Sequence, residues 1–281
     1  MTIKITSDST CDLTPEILAQ HNISLARLTV IKGGEEFEDG TTISPADIFD
    51  HVAAGGELCS TSAYSIGQYH NFFRQFSNDY DAVIHVNLGS GFSSTHQNAC
   101  VAAEDFDNVY VIDSMNLCTG QGLVVLEVCK MAESGMAPAE IMSQIATFIP
   151  RVEASFVLNQ LNYMVKGGRC SSASALGANL LNLKPCIEVK DGKMSVVKKY
   201  RGSYAKCLSS YIKDRLDGRE DLDTSSPMFF SYTPVDEDAM VSARNAVQEY
   251  SHFETVYDAP AGCTISCHCG PGTLGILYIR K

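Results

Sequence analysis

The sequence predicts an α/β protein of two domains, with an N-terminal parallel-sheet α/β domain over residues 1–151 and a C-terminal α+β domain with a mixed sheet over residues 152–281. In the first half, short apolar runs alternate with helical segments, which favours a parallel sheet covered by helices. After residue 151 the strands lie closer together, and Asp191-Gly192 is typical of a tight hairpin turn. With 281 residues, 45% of them apolar, the chain can bury the cores of two domains.

Helix starts in the first half are marked by capping residues. Thr14 and Ser44 each precede a proline, and Ser65 forms a capping box with Gln68. One predicted helix begins after each of these three caps. Three further helices are predicted at residues 95–105, 120–133 and 138–149. The apolar runs between them predict strands at residues 3–7, 24–31, 82–88 and 109–112.

The second half mixes hairpins with helices. Its predicted strands are residues 154–158, 186–190, 194–200, 228–232, 255–257, 263–267 and 274–279. Its predicted helices are residues 161–166, 173–181, one beginning at Ser203, and 235–250. This order predicts a mixed sheet with helices packed on it.

Composition and charge exclude several classes of partner. The formal net charge of −12 opposes binding to nucleic acid and to anionic lipid surfaces. No segment has the length and apolarity of a membrane span, so stable membrane insertion is not expected. Residues 1–7 lack the long apolar run of a signal peptide. We therefore expect a cytoplasmic protein.

The cysteines predict buried free thiols rather than disulfides. There are 11, and most lie scattered in apolar stretches, as in proteins of a reducing compartment. Cys263, Cys267 and Cys269 cluster beside His268, so a metal site is conceivable there. However, neighbours on a strand point to opposite faces, and no second cysteine pair has zinc-ribbon spacing. We therefore expect no metal.

Three hydroxyl-rich segments are the strongest signal of a binding site. They cover residues 7–10, 60–62 and 89–95, and we expect each to follow a strand. Ligands of open α/β sheets bind at the carboxyl ends of strands, where helix N-termini favour anions. Such segments could bind a carboxylate or a phosphate without a cation. The alternative is that these Ser and Thr residues only cap helices.

Motifs of the common nucleotide and hydrolase sites are absent from the sequence. It has no Walker loop, no Gly-x-Gly-x-x-Gly after the first strand, and no Gly-x-Ser-x-Gly around Ser90 or Ser93. His268 could act as a base for Ser93, or it could be a structural residue before the turn at residues 270–272. Both interpretations stay open.

Arg169 follows two glycines that end a helix. It could be a solvated arginine after a helix terminus, or an arginine held at a pocket mouth or on a partner surface.

Taken in order, the motifs closely resemble the DegV family over nearly the whole chain. They are Ser7-Asp8-Ser9-Thr10, Thr61-Ser62-Ala63-Tyr64-Ser65, residues 88–97, Asp113-Ser114, Gly167-Gly168-Arg169, Lys184-Pro185 and residues 268–272. Each motif is weak alone, but the ordered series is specific.

The resemblance implies that one long-chain fatty acid lies between the two domains. It also implies a non-catalytic, lipid-presenting subunit of bacterial fatty acid kinase, whose separate ATP-binding subunit phosphorylates the bound acid. Thr61, Ser93 and His268 would then hold the carboxylate, with Ser62 and Ser94 beside them. Arg169 would lie near the mouth, where the kinase docks. No cofactor is implied.

Two departures from the family pattern concern the pocket. Ala63-Tyr64 stands where the family usually has Gln-Pro, and Ser94 stands where it prefers Gly. The first change can reshape the pocket wall, and the second can alter the backbone freedom of the loop. The alternatives to lipid presentation are a stand-alone acyl hydrolase or phosphotransferase using Ser93 and His268, and a ligand-gated interaction protein.

Overall fold

A computed structural model describes residues 1–175 and 183–281 and confirms the predicted fold class. The first half contains a four-stranded parallel sheet of order β2-β1-β6-β7 and a three-stranded antiparallel sheet of order β4-β3-β5. Its strands are β1 (Ile3–Asp8), β2 (Ser24–Ala26), β3 (Thr29–Lys32), β4 (Glu35–Glu38), β5 (Ser60–Ser62), β6 (Ala82–Asn87) and β7 (Val109–Asp113). Its α-helices are α1 (Pro15–Gln20), α2 (Pro45–Ala53), α3 (Ile66–Ser77), α4 (Thr95–Ala103), α5 (Cys118–Glu133) and α6 (Pro138–Phe148).

The predicted caps form where the sequence places them. The Thr14 side chain accepts a hydrogen bond from Ile17 N–H, and Ser44 and Ser65 form complete capping boxes with Asp47 and Gln68. These caps set the starts of α1, α2 and α3.

The antiparallel sheet of the first half is a correction to the sequence analysis. Residues 24–31, predicted as one strand, form β2 and β3 in two different sheets, because Leu28 between them bonds to Ser9 and Asp39 instead of a neighbouring strand. Gly33 and Gly34 both have positive φ, so they turn β3 tightly back into β4. Residues 60–62 are strand β5 on the edge of this sheet, not a loop after a strand.

The second half folds around one mixed sheet, as predicted. The sheet has six strands in the order β10-β9-β8-β13-β11-β12, all antiparallel except the pair β11 and β12. The strands are β8 (Val152–Val157), β9 (Leu183–Lys190), β10 (Lys193–Arg201), β11 (Met228–Tyr232), β12 (Val256–Pro260) and β13 (Leu274–Ile279). The helices are α7 (Asn162–Gly167), α8 (Ser171–Ser174), α9 (Tyr204–Leu216), α10 (Glu237–Tyr250) and α11 (Cys263–Cys269).

Two predictions for the second half have different outcomes. The Asp191-Gly192 turn is confirmed, since both residues have positive φ and join β9 to β10. The predicted strand at residues 263–267 is wrong, because this segment is helix α11. For the predicted helix at residues 173–181, α8 covers Ser171–Ser174, and residues 176–182 lie outside the described ranges.

Helix α5 connects the two halves through the core. Its residues Val124, Val125 and Val128 are fully buried, and the helix contacts β1 and β6 of the parallel sheet as well as β8, β11 and β13 of the mixed sheet. A helix that is buried on most sides belongs in the interior. One apolar cluster therefore runs through both halves, and the division at residue 151 stays a prediction.

A buried tyrosine connects two neighbouring strands of the mixed sheet. The Tyr211 hydroxyl donates to the Ser155 carbonyl at 2.6 Å and accepts from Ile276 N–H at 3.1 Å.

Tyr211→Phe should lower the free energy of unfolding by about 1–3 kcal/mol, because both buried groups lose their partner. Urea denaturation measures this loss of stability. Tyr257→Phe, at a residue that is 37% exposed, is the control and should change stability by less than about 0.5 kcal/mol. Equal stability of the two variants would contradict the assignment.

Candidate functional site

A cavity lined by hydroxyl groups lies where β5, the loop after β6 and helix α11 meet. It contains about 570 Å³ of empty space, which includes space open to solvent. We call it the hydroxyl cavity. Its polar side chains are Thr61, Ser62, Ser93, Arg169, Thr264 and His268. Its apolar wall includes Leu28, Leu88, Phe92, Leu117, Met164 and Ile265. The structure thus brings five of the six predicted site residues to one cavity.

A hydrogen bond joins two sides of the hydroxyl cavity that are far apart in the sequence. Thr61 Oγ1 lies 2.9 Å from His268 Nε2, across 207 residues of sequence. The pairing of Thr61 with Val30 fixes the threonine on β5, and α11 carries the histidine. A strand of the first half and a helix of the second half therefore form the site together.

His268 is neutral at physiological pH. Burial disfavours the charged imidazolium and lowers its pKa to about 4, with nearby Arg169 acting in the same direction. A neutral ring carries one N–H. If Nε2 carries this proton and donates to Thr61, the Thr61 hydroxyl keeps its own hydrogen for a ligand oxygen. Thr61 and His268 together can therefore present a donor without a positive charge.

A glycine at the end of α7 allows the histidine ring to fit. A Cβ on Gly167 would lie 2.5 Å from His268 Nδ1, a buried atom that has no hydrogen-bond partner within the described ranges. The sequence indicates Gly167 only as a helix end, so its second role was missed. No short-range pattern could reveal it, since the ring comes from α11.

The two serines of the loop after β6 have different positions. Ser93 lines the cavity, and its Oγ accepts a hydrogen bond from Thr95 N–H at 3.2 Å. It also lies 2.9 Å from Thr95 Oγ1. Ser94 is exposed and does not line the cavity. Only Ser93 of this pair can contact a ligand there without a change in the loop.

Arg169 lies at the solvent-exposed edge of the hydroxyl cavity. Gly168 before it is left-handed, with φ of 70°, which turns the chain sharply after α7. Arg169 Nη1 donates to the Gly167 carbonyl at 2.6 Å, and Nε donates to the Phe92 carbonyl at 3.4 Å. These bonds hold a cation beside the hydroxyl groups. The site therefore carries a positive charge that the three hydroxyl-rich segments of the sequence do not indicate by themselves.

Of Ala63 and Tyr64, the two residues that replace the usual Gln-Pro of the family, only one contributes to the cavity wall. Ala63 lines the hydroxyl cavity. The Tyr64 ring instead packs on Tyr69, with centroids 4.8 Å apart, and the Tyr64 carbonyl accepts from Asn98. Ala63 therefore shapes the wall, while Tyr64 belongs to the aromatic cluster under α3.

A second, apolar cavity adjoins the first and was not foreseen from the sequence. It contains about 390 Å³ of empty space, which includes space open to solvent, and we call it the apolar cavity. Leu117, Ile265 and Cys269 line both cavities. The rest of its wall includes Ala154, Phe156, Val189, Ala261 and Leu277.

Three hydroxyl groups in the wall of the apolar cavity bond to the protein itself. Ser231 Oγ lies 2.7 Å from Cys118 Sγ, and Thr233 Oγ1 donates to the Gly270 carbonyl at 2.8 Å. Thr273 Oγ1 donates to the Cys269 carbonyl at 2.9 Å. Because these hydroxyl groups are already bonded, this part of the wall suits a hydrocarbon chain. The two cavities together match a ligand with a polar head and an apolar tail.

A third cavity has a different character. It lies between β8, β9 and Arg280, contains about 910 Å³ of empty space that includes space open to solvent, and is lined by both acidic and basic side chains. Arg215 pairs with Glu188 at 2.5 Å, and Arg280 pairs with Glu153 at 3.1 Å. Paired charges in its wall make it unsuitable for an acyl chain.

The arrangement does not supply the pair needed by a serine hydrolase. A nucleophilic serine requires a hydrogen bond to its base. Here His268 Nε2 bonds to Thr61, whereas Ser93 Oγ bonds to Thr95. This geometry favours ligand binding over hydrolysis.

The cysteines are buried, as expected. All eleven lie in the described ranges as free thiols, and all but the half-buried Cys100 are buried. Burial raises the pKa of Cys263 and of Cys269 to about 12, so both stay protonated.

Across residues 1–175 and 183–281, no three His, Cys, Asp or Glu side chains form a group that could hold a metal ion. In the same ranges, no helix has the length and apolarity to cross a bilayer.

Comparisons with known proteins agree over the full length of the chain. The DegV family model matches residues 2–281. Protein DegV of Bacillus subtilis is 30% identical over 286 residues and is covered completely, as is this chain. A solved DegV family protein from Thermus thermophilus, described by its fatty acid binding, superposes with a TM-score of 0.90 at 26% identity and full coverage of both chains. The solved Bacillus subtilis DegV, described as a fatty acid binding protein, gives a TM-score of 0.84 at 28% identity, again with full coverage of both chains.

Burial of a neutral His268 should make stability depend on pH. Between pH 4 and 6.5 the unfolded chain binds a proton at His268 that the folded protein does not. The free energy of unfolding therefore falls as the pH falls through that window. His268→Asn should therefore reduce the slope of unfolding free energy against pH by up to about 1.4 kcal/mol per unit.

Urea denaturation at a series of pH values measures this slope. His85, whose pKa burial lowers to about 3, is present in both proteins and contributes equally. Identical slopes for the wild type and the variant would show that His268 is not buried as a neutral ring.

Proposed function

Because the chain belongs to the DegV family, we propose that it binds one long-chain fatty acid and presents the carboxylate to a separate ATP-binding fatty acid kinase subunit. The acyl chain would occupy the apolar cavity, and the carboxylate would lie among Thr61, Ser93 and His268. The hydrogen bond between Thr61 and His268, together with the apolar cavity that adjoins the hydroxyl cavity, carries this proposal. The solved relatives described as fatty acid binding proteins support it.

Affinity and orientation would come from different parts of the ligand. Burying each CH₂ group contributes about 0.8 kcal/mol, so a long chain supplies most of the binding free energy. A hydrogen bond to the head group contributes only about 1 kcal/mol net. The apolar cavity would therefore retain the lipid, while Thr61, Ser62 and Ser93 would orient its carboxylate.

The neutral donors suit the proposed reaction. A carboxylate oxygen would attack the terminal phosphorus of ATP, forming an acyl-phosphate bond while ADP leaves. A cation bound directly to that oxygen would reduce its nucleophilicity, whereas hydroxyl groups and a neutral His268 hold it more weakly. ATP and magnesium would belong to the partner subunit. We place the protein in the cytoplasm, where such a partner would find ATP.

Arg169 is proposed to serve the partner or the cavity mouth. Its guanidinium is exposed, yet two backbone carbonyls hold it beside the hydroxyl cavity. A guanidinium in this place could contact an acidic partner surface or the phosphate being transferred.

The ligand class is tested by native mass spectrometry of the purified protein, followed by organic extraction. We expect a mass increment equal to one long-chain fatty acid. Ala261→Phe should fill part of the apolar cavity, which Ala261 lines, and should reduce the retained lipid several-fold, since each lost CH₂ contact costs about 0.8 kcal/mol. Val256→Phe, at an exposed residue outside both cavities, is the control. An extract without fatty acid, and no uptake of added fatty acid, would reject the proposal.

The head-group residues are tested by separating binding from turnover. Ser93→Ala, Thr61→Val and His268→Ala should each retain most of the lipid, because the acyl chain dominates affinity. Each should lower acyl-phosphate formation with the partner kinase by about tenfold or more, because the carboxylate is misplaced. Extracted lipid and coupled acyl-phosphate formation are measured for every variant.

Ser94→Ala is the matched control for Ser93→Ala. It changes the neighbouring exposed serine, which does not line the cavity, and should leave both lipid retention and coupled activity at the wild-type level. Full coupled activity in all three head-group variants would show that the carboxylate is bound elsewhere.

A further inference from the structure

Asp39 is a buried carboxylate whose hydrogen bonds converge on the start of α11. It is only 2% exposed. Its Oδ1 accepts a hydrogen bond from Cys263 N–H at 2.9 Å. Its Oδ2 accepts two hydrogen bonds from Thr264, one from the N–H at 3.3 Å and one from the hydroxyl at 2.7 Å. The Ser9 hydroxyl donates to the same Oδ2 at 2.9 Å. A residue of the first half therefore caps a helix of the second half, 224 residues away.

A second buried carboxylate supports the same helix end. A Cβ on Gly262, the residue before α11, would lie 2.6 Å from Asp12 Oδ1, so only glycine lets Asp12 approach this closely. Cys118 Sγ donates to Asp12 Oδ2 at 2.8 Å and keeps the side chain in place. The N-terminus of α11 is thus enclosed by acidic groups of the first half.

Helix α11 transmits its position directly to the ligand site. It supplies Thr264, Ile265, His268 and Cys269 to the wall of the hydroxyl cavity. Thr264 is bonded to Asp39, and His268 follows four residues later, which is about one helical turn. A shift or rotation at the capped end would move the imidazole by a similar amount.

We propose that Asp39 is a positioning residue that acts through α11 to fix the His268 imidazole against Thr61. This inference rests on the proposed function for its effect on the fatty acid carboxylate, but the position of His268 can be tested separately. The first N–H groups of a helix lack partners within it and carry partial positive charge. A carboxylate meets these donors with two acceptor oxygens, whereas an amide offers only one.

The test is Asp39→Asn, studied by NMR in the full chain. The imidazole ¹⁵N resonances of His268 should shift by more than their line width relative to wild type, because the ring moves against Thr61. With added carboxyl-¹³C palmitate, the bound carboxyl resonance should shift as well. Retained lipid should stay within about twofold of wild type, while coupled acyl-phosphate formation should fall about tenfold or more. A merely stabilising role would lower the unfolding temperature and leave both resonances unchanged.

Asp223→Asn is the matched control. Asp223 also accepts hydrogen bonds from two hydroxyl groups, those of Ser225 at 2.7 Å and Ser226 at 2.9 Å, but it lines neither the hydroxyl cavity nor the apolar cavity. It should leave the His268 and carboxyl resonances as in wild type. Unchanged resonances in a folded Asp39→Asn protein, or equal changes in the control, would overturn the proposal.

Ser9→Ala covers the case in which Asp39→Asn does not fold. It removes one donor to Asp39; Ser9 does not itself line the hydroxyl cavity, but its Oγ also accepts a hydrogen bond from the N–H of Leu28, which does. It should shift the His268 resonances in a smaller but measurable way, and no shift would reject the role of Asp39. If wild-type protein binds no palmitate, the proposed function fails, while the His268 resonances still decide the role of Asp39.

Discussion

The hydrogen bond between Thr61 and His268 depends on how the two halves meet at α11. Thr61 lies on β5, a three-residue edge strand, and His268 lies on a seven-residue helix. Neither element is long enough to be stable alone, so tertiary contacts must hold both. Asp39 provides such contacts at the start of α11, and the β3 pairing provides them for β5. The hydroxyl cavity therefore exists only when both halves are folded together.

The shared core explains why this meeting of the halves is well defined. Helix α5 packs on strands of both sheets, and one apolar cluster includes residues from β1 to β13. The apolar cavity lies beside this cluster and shares Leu117, Ile265 and Cys269 with the hydroxyl cavity. A ligand tail in the apolar cavity would therefore be surrounded by the same residues that join the halves. Binding and the packing of the two halves are expected to stabilise each other.

The sequence predicted local features better than long-range ones. The caps at Ser44 and Ser65 and the turn at Asp191-Gly192 depend on neighbouring residues, and they form as predicted. Helix α11 was predicted as a strand, because a short apolar run does not distinguish the two periods and its capping carboxylate is Asp39, 224 residues away. The separation of β2 from β3 and the apolar cavity likewise depend on distant contacts. Thr61, Ser93, Arg169 and His268 were predicted mainly through the family resemblance, whose ordered motifs already contain such contacts.

The placement of charge around the hydroxyl cavity suits the proposed function, in which the carboxylate reacts as well as binds. Arg169, a cation in the cavity lining, is bonded to the Gly167 carbonyl at the exposed edge. The interior donor pair is neutral, because burial lowers the pKa of His268 to about 4. The buried acids Asp12 and Asp39 direct their oxygens to Cys118 and to the start of α11. Among the described lining residues, a fatty acid carboxylate bound as proposed would meet hydroxyl groups inside and the positive charge of Arg169 at the mouth. Under the proposed function, that order would keep the nucleophilic oxygen weakly held and would place a positive charge where a transferred phosphate arrives.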